Sequence, residues 1–115
     1  MKVTNVVFML SAQDMERGIR IWNEAFDATK DYGSDAYTQL RLSGASVALH
    51  GGHDGTARET GLNNEVDDIH AAADAVTKAG GTITMPPEAR PGEPIMLGKC
   101  ADTEGNIFGI VQNVG

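Results

Sequence analysis

The chain reads twice, and an internal repeat of this kind dictates architecture before any local motif does. The first half opens on an apolar run, Val3 to Leu10, followed by Asp14, a residue type suited to capping a helix. Met15, Ile19, Trp22 and Phe26 then recur at helical spacing on one face. Short strands fit "AYTQLRL" and "ASVALH", with the turn "SGA" between them. After the Gly-rich connection "HGGHDGTARETG", residues 50–61, the order repeats. A short run ends in "NEV", and Asp67 or Asp68 stands as the cap. Ile69, Ala72, Ala73 and Val76 form the apolar stripe, and Gly80 and Gly81 stop the helix. Strands fit "GTITM", "IMLGKC" and "NIFGIV".

Each half is therefore strand, helix, then three strands. One helix covers a single face of a four-stranded sheet, so the other face needs a second unit or a ligand. Two such sheets placed edge to edge would make a curved mixed sheet, a cup with the helices outside and a hollow inside. The expected class is α+β, two βαβββ modules in one domain spanning 1–115, with module boundaries near 1–52 and 58–115. A length of 115 residues is enough for one modest core.

Charge and cysteine content limit the partners. A net charge of −7 argues against nucleic acid, since phosphate binding needs clustered Lys and Arg. Cys100 is the only cysteine, so no intrachain disulfide forms and no cysteine-based zinc site exists, which fits a reducing cytoplasm. "MKVTNVVFML" is too short to span a membrane and runs straight into a polar helix start, unlike a signal peptide.

Strand alternation assigns the faces. If Val7 faces the hollow, so do Asn5 and Met9, while Val6, Phe8 and Leu10 face the helix. Tyr37, Gln39 and Arg41 line the hollow on one strand and Ser46, Ala48 and His50 on the next. Ile107, Gly109 and Val111 line it on the last. The proline-containing stretch "MPPEARPGEPIM", residues 85–96, is expected to be a stiff rim loop that brings Met96 to the ligand. Trp22 reads as a core anchor, His70 as surface, and Cys100 as a small packed strand residue without a base beside it. His50 and His53 flank "GG" beside Asp54 but lack a third converging ligand. Asn64 falls with Leu62 and Val66 on the helix-facing side, where an amide needs a buried hydrogen-bond partner.

These pieces resemble the vicinal oxygen chelate superfamily of glyoxalases, bleomycin-resistance proteins and extradiol dioxygenases. "ADTEGNIFGIVQ" is similar to that family's Asp-Pro-(Asp/Glu)-Gly-Asn turn and final strand, with Thr103 in place of the usual proline. "NEVDDIHAAADAVTKAGG" and "DMERGIRIWNEAF" are similar to its second-module and first-module strand–helix segments. The resemblance places the four metal ligands of metal-dependent members at Val7, Ala48, Gly61 and Gly109, none of which coordinates a metal through its side chain. It thereby implies a metal-free, cofactor-free, non-catalytic protein. Such a protein sequesters a bleomycin-, mitomycin- or enediyne-like aromatic natural product in self-resistance, as a cytoplasmic homodimer with no membrane partner. A glyoxalase-like lyase or a dioxygenase-type enzyme with non-standard residues is the alternative. Gly109 is expected to be open space for the guest.

Overall fold

The computed structural model describes all residues, Met1–Gly115. The first module comprises β1 (Val7–Ser11), α1 (Met15–Phe26), β2 (Thr29–Gly33), β3 (Tyr37–Leu42) and β4 (Ala45–His50). The second comprises β5 (Arg58–Glu65), α2 (Ile69–Lys78), β6 (Thr82–Ala89), β7 (Ile95–Ala101) and β8 (Asn106–Asn113). Both sheets have four strands, ordered β1-β4-β3-β2 and β5-β8-β7-β6. In each, the module's first strand runs parallel to its last at one edge, and the remaining neighbours are antiparallel. The repeated βαβββ architecture is therefore present.

The helices start where capping carboxylates satisfy backbone donors left free in a first turn. Asp14 accepts from Arg17 N at 3.1 Å and Asp68, rather than Asp67, accepts from Ala71 N at 3.0 Å. The most buried residues of α1 are Met15, Gly18, Ile21 and Trp22, while Ile19 and Phe26 lie at the margin of the core. The stripe is centred on Gly18 because α1 lies close over Glu104 and Leu49, whose atoms would stand 3.1 and 3.3 Å from a Cβ there.

A single apolar core joins both helices to both sheets. Trp22 packs 4.9 Å from the Phe108 ring, and Phe26 meets Phe108 edge-on at 5.6 Å. The first module's helix thus packs on the second module's last strand. Trp22 Nε1 donates to buried Asp102 at 2.9 Å, so the indole is a core anchor with its polar atom satisfied.

Three expectations need correction. The sheets are two separate sheets, not one continuous curved sheet: β1 and β5 are in contact, yet no ladder joins them. Where the edges converge, the Asn106 carboxamide accepts from Ser11 N at 2.9 Å and donates to Ser11 O at 2.7 Å, making the two bonds that a neighbouring strand would make. Residues 85–89 are not rim loop but part of β6. Pro86 and Pro87 are tolerated there because β6 is an edge strand with irregular register, where a missing N–H costs little. Met96 packs against the core rather than facing a ligand, because it alternates with Leu97 and Lys99 and shares its side of β7 with buried Cys100.

Candidate functional site

The sheet faces turned away from the helices carry the residues that sequence alternation assigned to the hollow. On the first sheet, register aligns Tyr32, Gln39, Ala48 and Met9 in one row across all four strands. The Tyr32 and Tyr37 hydroxyls both donate to Gln39 Oε1, at 3.1 and 3.0 Å, and their rings lie 6.3 Å apart at 31°. One glutamine thereby holds two phenol rings as a fork. Burial, together with the neighbouring Tyr32 phenol, raises the Tyr37 phenol above its usual value. Tyr37 is therefore a neutral donor at physiological pH.

Met9 is 57% exposed and Val7 39%, so the far end of the row is an accessible apolar patch. Ser46 and Ala48 lie beneath this surface with none of their own area exposed, and Asn5 Nδ2 donates to Ser46 Oγ at 3.0 Å. His50 lies at the exposed strand end, its Nδ1 3.0 Å from Gly51 O and its ring 5.7 Å from that of His53. Tyr32 was missed in the sequence because "TKDYG" is short, polar and exposed, with no alternation to mark it as a strand.

The second sheet differs. Lys99 Nζ pairs with Glu59 at 2.7 and 3.1 Å, reaching from β7 to β5 across β8. Beside the pair is a cavity of about 170 Å³ whose lining includes Asn63, Leu97, Ile107 and Gly109. The Asn63 carboxamide oxygen sits where a Cβ on Gly109 would project. Gly109 is thus not open space: its missing side chain accommodates one from this chain's own β5. Val111 lies further along the same strand face. Neither Asn63 nor Lys99 was singled out from sequence, although alternation counted from Leu62 and from Cys100 puts both on this face.

The four positions that the resemblance assigns to metal ligands do not fit a metal. Val7 is apolar, Ala48 apolar and wholly buried, Gly61 a bulge residue at φ 76°, and Gly109 lies under an amide. No three His, Cys, Asp or Glu side chains come together as a ligand set. The Cys100 thiol, buried in the core, is pushed up to about 11, so it is not a thiolate at neutral pH. No helix is long and apolar enough to cross a membrane.

Solved structures share this architecture. A glyoxalase/bleomycin resistance protein/dioxygenase superfamily member from Sphaerobacter thermophilus superposes with a TM-score of 0.80 at 22% identity, covering 98% of this chain and 99% of that one. A glyoxalase-related enzyme from Fulvimarina pelagi gives 0.76 at 21% identity, over 98% and 88%. The bleomycin-binding protein of bleomycin-producing Streptomyces verticillus, solved with copper(II)-bleomycin, gives 0.72 at 18% identity, over 96% of both. The expectation of a non-catalytic protein is corrected by this set, because the same architecture at equal likeness includes a protein described as an enzyme. No curated protein sequence matches the chain. Residues 5–110 match the Glyoxalase/Bleomycin resistance protein/Dioxygenase superfamily, and the chain belongs to that superfamily.

Proposed function

We propose that the protein binds and holds a flat aromatic natural product, of the bleomycin, mitomycin or enediyne kind, on the open face of its first sheet. Sequestration in self-resistance, inside the cytoplasm, is the biological role that follows. The observation that carries this reading is the tyrosine fork on Gln39 beside exposed Met9 and Val7. Two phenol rings offer stacking surface at small entropic cost, and methionine adapts to irregular guests. The fold shared with a bleomycin-binding protein supports the same ligand class. Homodimerisation belongs to this reading, since a second copy set against Val7 and Met9 would wall in the guest.

Calorimetric titration with bleomycin, mitomycin C and an enediyne tests it. One of them should saturate the protein, and Tyr32→Ala should weaken it about tenfold, the order of one lost aromatic contact. Light scattering should find the liganded protein dimeric. Absence of heat with all three, or binding indifferent to Tyr32→Ala, would remove the open face from consideration.

A further inference from the structure

A further cavity lies elsewhere, on the helix side of the sheets, lined from both modules at the ends of β1 and β5. It measures about 650 Å³, within the range of sites that hold drug-sized molecules. Phe8, Phe26, Leu62 and Val66 give it apolar walls, and Asp27 and Glu65 stand among its lining residues. Asn64 reaches it from β5, and the Asn64 Nδ2 is buried without any hydrogen-bond partner. Its Oδ1 accepts no bond from the chain and is not sealed off in the same way. A buried amide donor left unpaired is destabilising, so this amide is poised for a partner that the chain does not supply.

We propose that this cavity is a second small-molecule site, taking a planar, largely apolar molecule that bears a carbonyl and is neutral or cationic. Each element of that description has its counterpart in the lining. Phe8 and Phe26 offer ring faces and edges to a flat guest. A half-turn of the Asn64 carboxamide exchanges its two ends and brings Nδ2 to the cavity as a donor for the carbonyl, leaving inside the oxygen, whose lack of a partner is better tolerated than that of an N–H. Asp27 and Glu65 take part in no ion pair, so their carboxylates favour an amine and disfavour an anion. The site lies on the opposite side of the sheets from the tyrosine fork, and occupancy of either does not require the other.

Nile red, an uncharged planar ketone carrying a diethylamino group, is a suitable probe for titration of the full chain. Its fluorescence should rise to one-site saturation, and the Asn64 side-chain amide signals should shift in nitrogen-15 NMR spectra. Asn64→Leu should raise the unfolding temperature, because the unpaired amide is gone, while weakening Nile red about tenfold. Ala45, at the start of β4, also lines the cavity, so Ala45→Phe narrows it and should weaken the probe as well. Tyr32→Ala should leave it unchanged, which separates this site from the open face. Unaltered affinity in both Asn64→Leu and Ala45→Phe, or loss of binding in Tyr32→Ala, overturns the proposal. So does a concentration-dependent dimer that shifts the Asn64 signals without probe, since the cavity is then a subunit interface.

Discussion

Gly109 and Gly81 both lack a side chain where one would collide, but the colliding atoms differ in freedom. At Gly109 the obstacle is the far end of Asn63, an exposed side chain able to rotate away, and the backbone there is not in the left-handed region. Gly109→Ala should therefore cost less than about 1 kcal/mol, well below the usual range for overpacking, with Asn63 changing rotamer. At Gly81 a Cβ would stand 2.8 Å from the Ala101 carbonyl oxygen and within 2.9 Å of core methyl groups on Val76 and Ile21. Neither a sheet carbonyl nor a packed core yields cheaply, so Gly81→Ala should cost about 1–3 kcal/mol. Urea unfolding of the two variants checks the order, and a larger loss at Gly109 would refute this account of its role.

The turn between β7 and β8 does more than reverse the chain. Glu104 is wholly buried and accepts from Gln13 N at 2.9 Å, Asp14 N at 2.7 Å and Arg17 Nε at 2.7 Å, so it neutralises the start of α1. Burial alone would raise this carboxyl, but the bonds from Arg17, the Asp14 backbone and Thr103 outweigh it and hold it below its ordinary 4.5. A lowered folded value means the stabilisation is present above the unfolded pKa and disappears as pH falls through the folded one. Glu104→Gln should cost about 1–3 kcal/mol at pH 7 and should flatten the acid limb of stability below roughly pH 4.5. Denaturant midpoints between pH 2.5 and 7 test this, and parallel curves for the two proteins would exclude Glu104 as the source. The "ADTEGN" motif was legible in the sequence as a turn. Its function as a latch was not, because its partners lie about 90 positions away and no local pattern encodes them. The buried face of α2 and the position of Asn64 were legible because periodicity reports burial directly, whereas on α1 the small Gly18 concealed a stripe that runs through Ile21 rather than Ile19. The second strand was not located, and the end of β6 was mistaken for loop although its start was found in "GTITM", because edge strands escape the hydrophobic and hydrogen-bonding constraints that make central strands recognisable.

At the scale of the molecule, the two modules are repeats in sequence yet not independent folding units. Phe108 of the second rests on Trp22 and Phe26 of the first, Ser11 exchanges two bonds with Asn106, and Glu104 closes the start of α1. Each half alone would expose this shared core and leave buried polar groups unpaired, with too little remaining burial to offset chain entropy. The covalent link between them, by contrast, is the Gly-rich segment from Gly51 to Ala57, mostly exposed and outside both sheets. Chains covering 1–54 and 55–115 should therefore each lack a cooperative unfolding transition when studied separately. Mixed at equal concentration they should regain the circular dichroism spectrum of the intact protein, with a midpoint that rises with concentration because association is now bimolecular. The mixture should also bury Trp22 again, blue-shifting its fluorescence, and Phe108→Ala in the second fragment should prevent that recovery by removing the ring on which the indole packs. A first fragment that folds alone with Trp22 already buried would show that the modules merely touch, and that the interlocked core is not what holds this molecule together.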